Sequence, residues 1–113
     1  MPRKVEHVIL SDQALELVAA RFRILGEASR LKLVRALQPC ELSVTQLVEA
    51  TRLTQANVSR HLQTLTEAGI LGRRKDGLNV IYFIADRSIF ELCRHVCGSL
   101  QERLAAHAKA FED

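Results

Sequence analysis

The stretch SVTQLVEATRLTQANVSRHLQTLTEAGILGRRK, residues 43–75, decides the fold. Its opening Ser43-Val44-Thr45-Gln46 fits a capping box, in which the serine hydroxyl takes the N–H three residues on and the glutamine reaches back to the serine N–H. A short helix follows, with Val44, Leu47 and Val48 inward. The turn Thr51-Arg52-Leu53 leads to Thr54, a second cap. Over residues 55–68, Val58, Leu62 and Leu65 recur at i, i+4 and i+7 and make one apolar stripe, and Gly69 supplies the C-cap. Residues 70–75 and 78–84 are strand-like runs joined around Asp76-Gly77, a strong hairpin signal. A capped helix, a tight turn, a second helix and a basic hairpin predict a winged helix-turn-helix, a device for setting one helix in the major groove of DNA.

Upstream, Ser11 caps a helix expected over residues 12–25. It carries two apolar stripes, one of Leu15, Val18, Phe22 and Leu25, the other of Leu17, Ala20 and Ile24. A helix apolar on two sides must be covered on two sides. Gly26 breaks the pattern, and a second helix is predicted over residues 28–37 with Leu31, Val34 and Leu37 inward, ended by Pro39. Residues 1–10 read as a loose arm or the start of a helix. Downstream, a long helix begins near Ser88 and runs past Leu104. No repeat, low-complexity tract or linker interrupts the chain. The expectation is one domain over residues 1–113, mainly α with a small β-hairpin wing, in the order α-α-α-α-β-β-α.

A chain of 113 residues is about one domain and gains from a partner. With 48% hydrophobic and 26% charged residues it reads as a soluble globular protein. A net charge of +3 matters only if concentrated, and it is: between Arg52 and Lys75, Arg52, Arg60, Arg73, Arg74 and Lys75 face the single acid Glu67. No apolar run suits a signal peptide or a membrane span, so a cytoplasmic home is expected. Three cysteines in such a protein are small hydrophobes, metal ligands or reactive thiols rather than a secreted disulfide framework.

With its apolar stripe buried, the fourth helix presents Gln55, Asn57, Ser59, Arg60 and Gln63 outward. Gln and Asn bond adenine bidentately, Arg does so to guanine, and Ser adapts to either. Arg52 and Thr54, just before the helix, suit phosphates, which also favour a helix N-terminus. Arg73, Arg74 and Lys75 in the wing suit the backbone or the adjacent minor groove. The plainer alternative is a solvated polar helix beside a charged hairpin. The agreement of caps, turn, stripe and hairpin weighs against it.

The runs Leu25-Gly26-Glu27-Ala28-Ser29-Arg30-Leu31, Glu41-Leu42-Ser43-Val44, Leu53-Thr54-Gln55-Ala56-Asn57-Val58-Ser59-Arg60-His61-Leu62 and Ala68-Gly69-Ile70-Leu71 resemble the ArsR family of bacterial metal- and stress-sensing repressors. The resemblance extends over residues 15–101. It implies a repressor of an inverted-repeat DNA operator, and a homodimer built through first and last helices, which fits the doubly apolar first helix. His61, on the inward edge of the motif, reads as a packed, hydrogen-bonded histidine.

In the last helix Cys93, Cys97, Leu100 and Leu104 form a seam that Ile89, Leu92 and Val96 widen. Cys93 and Cys97 stand one turn apart, and Cys40 is the one further sulfur. Thiolates select soft ions, and three sulfurs suit As(III), Cd, Pb or Cu(I) as an effector, with no cofactor otherwise required. Two alternatives stay open: plain core packing, and a redox or reactive-sulfur switch pairing Cys40 with Cys93 or Cys97. Relative to the family, the arsenic-repressor subset has Cys-x-Cys at the start of the third helix, where this chain has Ser43-Val44-Thr45. Of the zinc-sensing subset's ligands Asp86 and Glu102 remain, but Ser88 and Ser99 stand where histidines would be. His7, His95 and His107 show no compensating ligand spacing. A winged-helix module for protein contacts would lack the exposed arginines. No nucleophile–base pair, phosphate loop or carboxylate constellation marks an enzyme.

Overall fold

The computed structural model describes residues 10–110. The arm expected before them, with His7, lies outside the described residues. The elements follow as α1 (Asp12–Leu25), α2 (Ala28–Leu37), β1 (Leu42–Ser43), α3 (Val44–Thr51), α4 (Gln55–Glu67), β2 (Leu71–Asp76), β3 (Asn79–Ile84) and α5 (Ser88–Ala110). This is the winged helix-turn-helix expected, with one addition. The two-residue β1 pairs antiparallel with β3, Leu42 opposite Tyr82 and Ser43 opposite Ile81, which widens the hairpin into a three-stranded sheet of order β1-β3-β2.

Local chemistry sets the boundaries. Ala14 N–H donates to Ser11 Oγ at 3.1 Å and starts α1. At α3 the capping box is complete, with Gln46 N–H on Ser43 Oγ at 3.3 Å and Ser43 N–H on Gln46 Oε1 at 2.9 Å. Thr54 Oγ1 takes the Asn57 N–H at 3.2 Å and starts α4. At its other end Gly69 adopts φ +78°, and the Ile70 N–H closes back on the Leu65 carbonyl at 3.0 Å. The hairpin turns through Gly77 and Leu78 between the paired Asp76 and Asn79. Gly77 takes φ +65° there, which glycine adopts without steric cost.

The core lies between α2, α3, α4 and the sheet, where Leu33, Leu47, Val58, Leu62, Leu65 and Ile70 are wholly buried. One inward residue differs from expectation. Leu31 is exposed, and Leu33 takes its place with Val34 and Leu37. The second helix is apolar on more than one side, and α3 and α4 pack against the side centred on Leu33, while Leu31 opens toward α5. The terminal helices remain partly uncovered: Leu15, Leu17, Val18 and Phe22 of α1 and Val96, Leu100 and Leu104 of α5 are exposed in the single chain.

Candidate nucleic-acid interface

Helix α4 is fixed from behind. Val58, Leu62 and Leu65 have 0% exposure, and His61 has 2%. His61 Nδ1 accepts from Arg30 Nε at 3.3 Å, and its Nε2 lies 3.2 Å from Glu27 Oε1. Arg30 also donates to the Ile24 carbonyl at 3.1 Å and pairs with Glu27 at 3.4 Å. The packed, hydrogen-bonded histidine is as expected. Burial lowers its pKa, Glu27 opposes that shift, and Arg60 and Arg30 reinforce it. A neutral ring suits the site, because the Arg30 N–H needs a lone pair on Nδ1.

The opposite side of α4 is open to solvent at Gln55, Asn57, Ser59, Arg60 and Gln63. Two bonds order that face: Arg60 Nη2 donates to Asn57 Oδ1 at 3.1 Å, and Gln63 Nε2 to Glu67 Oε1 at 3.1 Å. Thr54 and Arg52 are exposed at the N-terminal end of the helix. Arg52 ends α3 with φ 61°, a left-handed conformation unusual for a residue with a Cβ.

On the wing, Arg73, Arg74 and Lys75 are exposed, and alternation along the strand sends neighbours to opposite faces. Arg74 meets Glu41 at 2.7 Å, so its charge already has a partner. Arg73 lies on the other face, opposite Tyr82 in the ladder. Together with Ser59, Gln63, Thr66 and Glu67 they line a polar groove of about 400 Å³ between α4 and the wing. Sequence reasoning missed Glu41, Thr66 and Tyr82. Tyr82 alone left a signal, through strand alternation once the hairpin register is known.

The cysteines are distributed differently. Cys93 is half-buried and Cys97 exposed, and both line an apolar groove of about 900 Å³ with Phe22, Leu31, Val34 and Leu100. Cys40 is exposed on the loop between α2 and β1 and does not line that groove. Among the described residues no three His, Cys, Asp or Glu side chains come together to hold a metal ion, so Cys40, Cys93 and Cys97 of one chain do not form a three-sulfur set. Asp86 has another task. Its Oδ1 accepts the Ser88 N–H at 3.1 Å and the Ser88 hydroxyl at 2.5 Å, and its Oδ2 takes Arg21 at 3.3 Å. The Ser88 hydroxyl foremost, against some desolvation, holds this carboxyl below its ordinary range, with the Ser88 N–H and Arg21 adding to it. Among the described residues no helix is long and apolar enough to cross a membrane.

Residues 27–72 match the family described as bacterial regulatory protein, arsR family. The chain is 34% identical over 100 residues to the transcriptional repressor SmtB homolog of Synechocystis sp., covering 88% of this chain and 76% of that protein. It is 37% identical over 89 residues to the cadmium resistance transcriptional regulatory protein CadC of Listeria innocua, covering 78% and 75%. Among solved structures, the homodimeric winged helix-turn-helix DNA-binding domain Mb0332 of Mycobacterium bovis superposes with TM-score 0.75 at 28% identity, over 87% of this chain and 94% of that one.

Proposed function

The chain belongs to the arsR family of bacterial regulatory proteins, and from that premise we propose that it is a homodimeric repressor released from an inverted-repeat operator by an effector sensed at cysteines. As a winged helix-turn-helix member of that family it is a DNA-binding transcriptional regulator, not an enzyme, and its place of work is the cytoplasm.

The two-sidedness of α4 carries this reading: apolar anchors behind, and Gln55, Asn57, Ser59, Arg60 and Gln63 in solvent. These residues read base edges, Arg52 and Thr54 take phosphates, and Arg73, Arg74 and Lys75 follow the flanking backbone. Two copies related by a twofold axis set their α4 helices in successive major grooves about 34–36 Å apart. The uncovered apolar residues of α1 and α5 supply the contact between copies, as in a relative described as homodimeric.

Effector sensing centres on Cys93 and Cys97. Their thiolates favour a soft ion, As(III) or the cadmium that gives the CadC relative its name, with the remaining ligands coming from outside this pair. An ion that prefers the dimer geometry unsuited to DNA weakens DNA binding, and DNA weakens ion binding by the same factor. A redox form of the same switch pairs Cys40 with Cys93 or Cys97, and the exposure of Cys40 and Cys97 favours it.

A labelled duplex from the region upstream of this chain's own gene tests the DNA step. Affinity is expected to fall roughly 10³-fold or more between about 50 and 200 mM salt, and salt-insensitive binding would remove the repressor reading. Adding As(III) or Cd(II) is then expected to release the duplex from the wild type and not from a Cys93→Ser, Cys97→Ser variant. Release from that variant would move the sensing site elsewhere.

A further inference from the structure

The groove between α4 and the wing holds more hydrogen-bonding capacity than the protein uses. The Thr66 hydroxyl is buried with no partner. Ser59, Arg73 and Tyr82, which line the same groove, make no side-chain hydrogen bond or ion pair among the described residues. Tyr82 is only 9% exposed, so its hydroxyl is carried to the groove on a packed ring rather than a mobile arm. Glu67, the acid of the lining, is held by Gln63 at 3.1 Å along the helix. Three hydroxyls and one guanidinium, all able to donate, therefore surround a space of about 400 Å³.

A ligand for such a set must accept several hydrogen bonds and carry negative charge. Buried hydroxyls without partners are costly in the free protein, and an acceptor arriving in the groove relieves that cost. A helix that enters the major groove by its first turns has its later turns beside one sugar-phosphate strand, and the wing flanks that strand from the other side. Ser59, Thr66 and Arg73 stand between those two elements.

We infer that this groove is the seat of one DNA-backbone phosphodiester, held by Arg73, Ser59, Thr66 and Tyr82. The inference rests on the DNA-binding reading above and assigns Thr66 and Tyr82 to it as positioning contacts. It also moves Ser59 from base reading to strand holding.

A phosphate contact is independent of sequence, so a fluorescein-labelled random 30-base-pair duplex is a sufficient probe. Tyr82→Phe and Thr66→Val keep the side-chain bulk. Each is expected to weaken binding about tenfold, the worth of a hydrogen bond to a charged group, without changing the salt slope. Arg73→Gln should weaken binding and lower the slope by about 1. Because Tyr82 and Arg73 hold one phosphate, their double variant should lose less than the product of the single losses. Thr66→Val should also raise the melting temperature of the free protein, since it removes an unpartnered buried hydroxyl. A purely structural role for Thr66 would not combine higher stability with weaker binding.

Wild-type binding of both hydroxyl variants, or multiplicative losses in the double variant, would overturn the inference and leave the DNA reading intact. Failure of the wild type to bind any duplex in a salt-dependent way would end both. Inorganic phosphate is expected to compete no better than chloride at matched ionic strength. Stronger competition would put a free anion rather than the DNA strand in the groove.

Discussion

Arg21 donates to the Ala68 carbonyl at 2.8 Å and to the Asp86 carboxylate at 3.3 Å, so one α1 side chain holds both the C-cap of α4 and the approach to α5. Movement of the terminal helices therefore has a direct polar route to the helix that faces DNA. Arg30 gives a second route, from the Ile24 carbonyl at the end of α1 to His61 within α4. The effector cysteines and the DNA-facing residues are joined through these contacts rather than through the apolar core alone.

Replacing Arg21 by Ala should cost about 1 kcal/mol of stability. Hydrogen bonds to charged groups are worth more in buried sites, but these side chains are 39% and 35% exposed, and screening keeps the loss small. The sharper expectation concerns coupling. In this variant an effector should still bind while releasing DNA less completely, which parallel titrations of ion and duplex would reveal. Unchanged release would remove Arg21 from the route between the sites.

Acid should loosen the fold through His61. Its folded pKa lies below the ordinary 6.5, so between those values the unfolded chain takes up the proton more readily. The stabilisation is complete above about pH 6.5 and is lost as pH falls through the folded value. Protonation would also put an N–H of the ring against the Arg30 N–H. Chemical denaturation at a series of pH values should show the wild type weakening below 6.5. His61→Gln should start about 1–2 kcal/mol lower at neutral pH and show a flatter acid dependence. An equally steep curve in that variant would assign the titration to another group.

At the turn of the helix pair, Arg52→Gly should move two properties in opposite directions. The left-handed φ of 61° costs a residue with a Cβ about 1–2 kcal/mol, and glycine relieves it. Loss of a cation at this exposed place should weaken binding and lower the salt slope by about 1. A thermal melt and a two-salt DNA titration on the same sample are sufficient. Higher stability with an unchanged slope would mean that Arg52 makes no phosphate contact.

The wing carries a restraint of its own. Glu41 holds Arg74 at 2.7 Å, and both side chains are about half exposed. Glu41→Gln should change stability by no more than about 1 kcal/mol, as usual for exposed pairs. It should tighten DNA binding, because it removes an anion near the strand and frees Arg74 for a phosphate. The salt slope should rise by about 1 if the freed arginine takes one. Weaker binding would show instead that Glu41 orients Arg74 usefully.

Helix boundaries were legible because caps act within three or four residues: Ser11, Ser43 and Thr54 start helices in the structure as their spacing implied. The outward face of α4 was legible for a similar reason, since one strong apolar stripe fixes what lies opposite. Leu31 and Leu33 were harder to tell apart, because α2 is apolar on adjacent sides and only the packing of α3 and α4 chooses between them. β1 left no sequence signal, as two residues carry no period and their pairing depends on β3. Arg21 with Asp86, Arg30 with His61 and Glu41 with Arg74 join residues 31 to 65 positions apart, and composition gives no hint of such partners. The cysteine seam was read correctly as a helix face, but a face does not reveal depth, and Cys97 proved exposed.

The leucines and phenylalanine left bare on α1 and α5 give the newly made chain an oily flank. A flank of that kind ends against a twin or in a precipitate, so the useful dose of this protein is bounded on both sides. Too few copies leave the flank unmatched, while crowding among half-folded chains diverts them. Supply of the regulator must then track its own pairing, and a cell producing it in excess gains clumps before it gains further control.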